Sequence, residues 1–380
     1  MNDKNINLEL KSQHSSLITQ HSIIGILGGG QLGRMMAIAA AELGYSAHIY
    51  CPEENSPASE VAKCTTIGAY DDITKLSEFA KQVDVVTYEF ENIPAQPVGE
   101  IAKIVNVFPS PKILSLSQHR VLEKQAINAL GVATAPFAPV SSYDDLQEAT
   151  QKLGLPAVLK TATMGYDGKG QVIIRSGNDV QKLDNRLQIT DDKNFSLMSS
   201  ELVLEGFINF KMEISVIVVR DVSGNVKCYC PVQNIHKNHI LDETIAPAPI
   251  SETLAKEAEK IAKTIATGLD LVGLIAVEMF VTIDDKIIVN EIAPRPHNSG
   301  HWTLDACITS QFEQVIRAVC GLPLGSPARL CAARMKNLIG DEIADARKYL
   351  AQPNAKLHIY GKKEAKSGRK MGHVTFLASE

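Results

Sequence analysis

No stretch of this 380-residue chain approaches the ~20 consecutive apolar residues that a bilayer-spanning helix requires. A membrane partner is therefore not expected. Residues 1–22 are polar and lack the apolar centre of a secretory signal, so they are read as a loosely packed extension. The seven cysteines (Cys51, Cys64, Cys228, Cys230, Cys307, Cys320 and Cys331) are odd in number, and no pair has CxxC spacing. That argues against a disulfide framework, a zinc ribbon and a redox dithiol, and predicts reduced thiols in a cytoplasmic protein. The chain contains no Gly-Lys-Ser/Thr triplet, which excludes a P-loop. It has no internal repeat and no low-complexity tract. Excess positive charge is also missing: 38 Lys and Arg against 43 Asp and Glu leave a net charge of −5, so nucleic acid is not an expected partner.

What is present is an ordinary globular composition, 45% hydrophobic and 21% charged, in a chain long enough for two or three domains. From Ile23 the order is an apolar run (IIGIL), a glycine turn, and a helical pattern (QLGRMMAIAAAELG). Then come a strand (SAHIY), a helix (DITKLSEFAKQV) and a strand (DVVTYEF). Alternating β and α segments predict a doubly wound parallel sheet over residues 23–112, ending near the prolines of FPSPKIL. Residues 113–307 read as an α+β module. A helix covers Ser117 to Leu130 and another Tyr143 to Leu153; the strands are PAVLK, QVIIR, ELVLEGFI, KMEISVIVVR and KCYCPVQNIH; a long amphipathic helix covers Glu252 to Thr267. Residues 308–380 form a small β-rich unit with one helix, QFEQVIRAVCGL, and the strands RMKNLIG, KLHIYG and HVTFLA.

The densest chemistry lies between Val277 and Thr303. Glu278 and Glu291 sit on two β-branched runs joined by the polar link Asp284-Asp285-Lys286, which predicts a hairpin. Such a hairpin gathers two carboxylates and the amide oxygen of Asn290, hard ligands suited to Mg²⁺ shared with substrate phosphates. Two glycine loops add anion-binding potential. Gly28-Gly29-Gly30-Gln31-Leu32-Gly33 fits G-x-G-x-x-G between a strand and a helix. It would serve either a dinucleotide phosphate or tight strand-to-helix packing, and where an acidic residue is expected about 20 positions on the chain offers Cys51-Pro52-Glu53, an imperfect match. The second loop, Met164 to Gln171, lies between strands and combines three glycines with Lys169, while Lys160 ends the preceding strand. Glycines admit close backbone approach and lysines neutralise phosphate charge.

Together these elements resemble the ATP-grasp ligases. GGGQLGRM, TYEFENIP, FPSP, GYDGKGQ, EGFINFKMEISV, NEIAPRPHNSGHWT, SQFEQ, MKNLIG and GRKMGH narrow the resemblance to the N5-carboxyaminoimidazole ribonucleotide synthetases of purine biosynthesis, over residues 23–377. The resemblance implies a pre-ATP-grasp domain, a central ATP-grasp domain and a small C-terminal domain, with a homodimer as the expected assembly. It implies that 5-aminoimidazole ribonucleotide, bicarbonate and MgATP react through carboxyphosphate. It assigns Arg120, Lys160 and the loop Gly165, Tyr166, Asp167, Gly168, Lys169, Gly170 and Gln171 to the ATP phosphates. Glu205, Gly206, Phe207 and Ile208 would read adenine through backbone groups, Glu213 the ribose, and His236 would lie near the nucleotide. Glu278 and Glu291, aided by Asn290, would hold Mg²⁺. Lys362, Arg369 and Lys370 would anchor the ribonucleotide phosphate, which accounts for a basic tail on an acidic chain. Tyr166 and Asp167 would contact the imidazole, with Asp167 taking the amine proton. Arg295 and His297 would hold bicarbonate or carboxyphosphate, and Gln31 and Glu89 would face the same cleft.

Five residues have a structural reading beside the functional one: Tyr166 as packing of its own loop, His301 and Trp302 as core, Glu91 as a cap of the turn before Pro94, and Arg34 as a surface helix residue. Competing functions are another ATP-grasp ligase (a formate-dependent glycinamide ribonucleotide transformylase or a biotin carboxylase), an NAD-dependent oxidoreductase built on GGGQLG, or a non-catalytic scaffold. The first would differ at HNSGHWT and GRKMGH, and the chain has no biotinyl Met-Lys-Met. The second leaves Glu278, Glu291 and GYDGKGQ unexplained, and the third would typically have lost the two glutamates.

Overall fold

The computed structural model describes residues 22–163, 170–181 and 201–378. The polar extension lies outside them, apart from Ser22. The N-terminal unit is built from β1 (Ile23–Leu27), α1 (Gln31–Glu42), β2 (Ser46–Cys51), β3 (Cys64–Ile67), α2 (Ile73–Ala80), β4 (Val85–Tyr88), α3 (Ala95–Ile101) and α4 (Pro111–Ser117). Its four strands are parallel in the order β3-β2-β1-β4. Central β1 reads as a continuous apolar run because both its faces are covered, one by α1 and the other by α2 and α3. Edge strand β3 was not legible: only its Cys64, Thr65, Thr66 and Ile67 pair with β2, and none of the four is buried.

Next come α5 (Arg120–Ala129), β5 (Phe137–Val140), α6 (Tyr143–Leu153), β6 (Ala157–Thr161), β7 (Gln171–Ile174) and β8 (Leu202–Gly206). The helix expected over Ser117 to Leu130 begins at Arg120, with His119 as its N-cap, and Ser117 ends the preceding α4. Strands β5, β8, β6 and β7 form an antiparallel sheet in that order, packed on α6. The unforeseen β5 is an edge strand containing Pro139, where a missing N–H is tolerated.

The largest sheet contains β9 (Phe210–Arg220), β10 (Val226–Cys228), β11 (Val232–Lys237), β12 (Ile240–Ala246), β13 (Gly273–Thr282), β14 (Ile287–Ala293), β15 (Ala333–Ile339), β16 (Ala355–Ile359) and β17 (Lys370–Leu377). Its order is β14-β13-β9-β11-β12-β15-β17-β16, with β10 paired to β9. The C-terminal strands thus continue the central sheet through β12 and β15. Helix α7 (Glu252–Gly268) closes one face with Leu254, Ala258, Ala262, Ile265 and Ala266, and the Ser251 hydroxyl caps it by accepting from the Leu254 N–H at 3.2 Å. On the other face, α8 (Thr303–Ala306) and α9 (Gln311–Val319) join the sheet to α1.

Trp302 lies in that shared core at 1% exposure, edge-on to Tyr229 with ring centroids 6.4 Å apart. Trp302→Ala leaves a large cavity where three elements meet and is expected to lower stability by about 3–5 kcal/mol. Urea denaturation followed by circular dichroism checks this; a loss under about 1 kcal/mol would contradict the packing role assigned to it.

Candidate active site

The hairpin forms as the sequence indicates, and Glu278 and Glu291 are direct cross-strand partners on β13 and β14. One feature of it was not legible. The register shifts after this pair, because Met279 faces Val289, so Asn290 is the extra residue of a β-bulge. Regular alternation would send Asn290 and Glu291 to opposite faces. The bulge instead lets both line the same cleft. The side-chain oxygen of Asn290 is buried there without a hydrogen-bond partner among the described residues. Two carboxylates and an unpartnered amide oxygen converging on one space fit Mg²⁺.

Like charges directly opposite across a ladder repel, and cations from other elements surround the pair. Arg120, the first residue of α5, places Nη1 2.8 Å from Glu291 Oε2. Burial alone would push the Glu291 carboxyl up; Arg120, with Lys160 and Lys124 behind it, holds it down at about 2. Buried Glu205 receives Lys160 Nζ at 2.8 Å and Lys124 Nζ at 3.3 Å, and Lys124 also donates to the Asn290 carbonyl at 3.1 Å. Burial raises the Glu205 carboxyl and the two lysines more than offset it. Glu123 is the outlier. It is buried, its Oε1 accepts the Ile292 N–H at 2.7 Å, and burial followed by repulsion from Glu291 pushes it up to about 8.

The cleft between the two antiparallel sheets is lined by Arg120, Lys160, Gln171, Glu213, His236, Asn290, Glu291 and Lys370. Its apolar walls are Val158 and Ile173 on one side and Phe210 stacked on Phe280 at 4.5 Å on the other. His236 Nδ1 lies 3.2 Å from Glu213 Oε2. Burial disfavours the charged imidazole, and Glu213 outweighs it, raising its pKa. The Gly206 and Phe207 N–H groups are taken by the Pro136 and Pro156 carbonyls at 2.8 and 3.3 Å. The side chain of Glu205 serves as the anion between two lysines, a role that sequence reasoning did not give it. Gly165, Tyr166, Asp167, Gly168 and Lys169 lie outside the described residues. Gly170 closes the loop with φ +73°, where a Cβ would come within 2.7 Å of the Thr161 hydroxyl.

An adjoining hollow contains Glu91, Arg120, Glu123, Glu278, Glu291, Arg295 and His297. Glu91 does not cap the turn before Pro94; Gln118 does so, donating at 2.6 Å to the carbonyls of Glu91 and Ile93. The Glu91 carboxylate instead takes Arg295 in a two-pronged pair, Nε to Oε2 and Nη2 to Oε1, the latter at 2.7 Å. Arg295 Nη1 also donates to the Pro296 carbonyl at 3.1 Å. His297 Nε2 meets Glu278 Oε1 at 3.1 Å.

The N-terminal glycine turn holds an anion from its own chain. Glu89, just past β4, accepts the Gly30 N–H at 2.5 Å and the Gly33 N–H at 2.8 Å, at the start of α1. A Cβ on Gly28 or Gly30 would lie 2.1 or 2.6 Å from the Glu89 side chain. The glycines therefore admit a half-buried carboxylate, and the dinucleotide reading of this motif loses its phosphate seat. Glu89, Glu53, Tyr70, Lys362 and Arg369 line a third hollow; Gln31 begins α1 beside it. Burial and the neighbouring Arg369 pull the Lys362 ammonium down to about 8. The three tail residues do not line one hollow: Lys362 and Arg369 face this one, whereas Lys370 lines the cleft between the sheets.

His301 and Trp302 are core residues. His301 is fully buried, within 3.1 Å of Gln311 Nε2, and burial drives its pKa down. Arg34 is a helix-surface residue, paired to Glu60 at 2.6 Å. Asp305, His358 and His373 form a further group with metal-ligand atoms. The two imidazoles are stacked 13° from parallel at 4.5 Å, so their in-plane lone pairs do not converge on one ion. Sequence reasoning missed Glu123, Lys124, Ser215, Asn234 and Ser299. The only available signal was their position on faces that the pattern marks as buried, where a charge or hydroxyl needs a partner.

A family model of the ATP-grasp domain matches residues 125–312. The ribonucleotide synthetase pre-ATP-grasp domain matches residues 21–118, and the phosphoribosylaminoimidazole carboxylase C-terminal domain matches residues 333–380. Over 93% of its length the chain is 46% identical to the N5-carboxyaminoimidazole ribonucleotide synthase of Brucella melitensis, covering 96% of it. It is 50% identical over the same share to the bifunctional purine synthesis protein purC/E of Dictyostelium discoideum, of which it spans 37%. Among solved structures, an ADP complex of an N5-carboxyaminoimidazole ribonucleotide synthetase matches with TM-score 0.88 at 46% identity, covering 94% of this chain and 93% of that one. The Aspergillus clavatus N5-carboxyaminoimidazole synthase bound to ADP and 5-aminoimidazole ribonucleotide matches with TM-score 0.86 at 31% identity, covering 94% of both chains.

Glu123 generates a pH prediction. Its folded pKa of about 8 stands above its ordinary 4.5, so its contribution to stability is full below pH 4.5 and is lost as pH rises through about 8. Glu123→Gln keeps an oxygen for the Ile292 N–H and does not ionise. The stability of wild type relative to this variant, from urea unfolding, is expected to fall across that window; a flat difference would refute the elevated pKa.

Proposed function

The chain belongs to the N5-carboxyaminoimidazole ribonucleotide synthetase family of ATP-grasp ligases, and on that premise we propose how its clefts divide the reaction. The enzyme performs the ATP-dependent carboxylation of 5-aminoimidazole ribonucleotide in purine biosynthesis. The observation that carries the detailed reading is the hairpin at Glu278 and Glu291, whose bulge adds the unpartnered oxygen of Asn290.

In this reading the cleft between the sheets takes ATP. Phe210, Phe280, Val158 and Ile173 enclose the base, and Glu213 with His236 lies beside the ribose. Arg120 and Lys160 neutralise the phosphates. Mg²⁺ held by Glu278, Glu291 and Asn290 would draw charge from the transferring phosphoryl group. Arg295 and His297, facing the adjoining hollow, hold bicarbonate as it attacks the γ-phosphate and then hold the resulting carboxyphosphate. Glu91 keeps the Arg295 guanidinium aimed there, so the N-terminal domain helps fix the anion site. The hollow at Glu89 takes the ribonucleotide, with its phosphate on Lys362 and Arg369. Tyr166 and Asp167 are proposed for the imidazole and its amine proton. Carboxyphosphate hydrolyses readily in water, so a site bounded by three elements favours capture by the amine. A homodimer in the cytoplasm is the proposed setting.

Release of ADP from MgATP and bicarbonate is expected to rise strongly when 5-aminoimidazole ribonucleotide is added and to consume it one for one. Glu291→Gln is expected to lower kcat at least about 10²-fold; normal turnover in that variant would remove Glu291 from the metal role. Lys362→Met and Arg369→Met should each raise the KM for the ribonucleotide about 10- to 100-fold and leave the KM for ATP unchanged. An equal rise in both constants would place these residues elsewhere in the mechanism.

A further inference from the structure

His297 is tied at both ring nitrogens, and a chain of buried hydroxyls determines which nitrogen carries the proton. Its Nδ1 lies 2.8 Å from Ser299 Oγ and also faces the Ser299 N–H at 3.4 Å. A backbone N–H can only donate, so Nδ1 presents a lone pair. The hydroxyls lead to the same answer independently. Asn234 Oδ1 accepts from the Thr244 hydroxyl at 3.3 Å, which turns the Asn234 amide nitrogen toward Ser215 Oγ at 2.9 Å. With Ser215 Oγ accepting that N–H, its own proton points to Ser299 Oγ, 2.7 Å away. The Ser299 proton then points to Nδ1. Ser215, Asn234, Thr244 and Ser299 are all buried, so water is excluded from these bonds. The remaining imidazole nitrogen, Nε2, bears the hydrogen and donates to Glu278 Oε1 at 3.1 Å.

We infer that Ser215 and Ser299 are positioning residues that lock His297 as the Nε2–H tautomer, so that its one N–H is directed at Glu278. The main chain is clamped as well. Gln311 Oε1 accepts the His297 N–H at 2.9 Å, and Gln311 Nε2 donates to the His297 carbonyl at 2.7 Å. A ring fixed in this way presents its single N–H in one direction, toward the carboxylate of the hairpin. It also fixes one oxygen of Glu278 and so orients the carboxylate. Outer groups of this kind commonly change affinity or rate 10- to 100-fold when removed. The catalytic significance of the relay rests on the reading of Glu278 as part of the Mg²⁺ site; the tautomer itself does not.

The test is two-bond ¹H–¹⁵N correlation of ¹⁵N-histidine-labelled full-length protein without nucleotide, with the His297 signals assigned by their loss in His297→Asn. Wild type is expected to show Nε2 protonated and Nδ1 bare. Ser299→Ala and Ser215→Ala are expected to give a mixture of tautomers and a kcat about 10-fold to 100-fold lower, with the KM for ATP unchanged. Ser215 does not touch the ring, so a change of tautomer in Ser215→Ala identifies the relay, and this variant carries the test if Ser299→Ala does not fold. A wild-type ring protonated at Nδ1 would overturn the inference, as would an unchanged tautomer in the variants. Failure of the ribonucleotide to stimulate ADP release would overturn the functional reading and leave the spectra as they are.

Discussion

Repulsion between Glu278 and Glu291 is the constraint on which the site depends. Two carboxylates opposite each other on adjacent strands are unfavourable unless cations surround them. The fold supplies these from several elements: Arg120 from the start of α5, Lys124 one turn later, and Lys160 from the end of β6. Three cations at close range would themselves be unstable, and buried Glu205 balances two of them. The alternation of sign from Glu291 through Arg120 and the lysines to Glu205 gives a nearly neutral interior. Glu123 is the member that this arrangement does not favour as an anion: burial and the neighbouring Glu291 push its carboxyl up to about 8.

The three segments of the chain meet at this balance. The Glu91–Arg295 pair spans 204 residues and ties the N-terminal sheet to the loop after β14. The shared core of α1, Trp302 and α9 supports it from beneath. The C-terminal strands join the central sheet edge to edge. The basic loop between β16 and β17 is therefore carried on the same framework as the carboxylate hairpin, rather than on a separately hinged module.

Much of this was legible in the residues. The period of each apolar run gave most strands and helices, and the polar link at Asp284 gave the hairpin. Strand β12 was missed beside its neighbour β11; most else that escaped detection shares one physical cause, dependence on partners distant in sequence. The short edge strands β3 and β5 have weak patterns because only one side is paired. The bulge at Asn290 is a property of two strands in register, invisible in either alone. Lys124, Glu205, Ser215 and Ser299 resemble ordinary polar residues until the fold buries them together. The glycine turn was legible as an anion site, but the identity of its anion was not, since Glu89 lies 56 positions beyond Gly33.

The Glu89 carboxylate gives that turn a property of its own. A ligand tethered by the fold acts at an effective concentration above the roughly millimolar level that even a short flexible tether provides. Any free phosphate or dinucleotide approaching the start of α1 must compete with a resident that never diffuses away. The glycine turn is in this sense self-inhibited as a phosphate seat, so an anion entering the neighbouring hollow meets Lys362 and Arg369 rather than the start of α1.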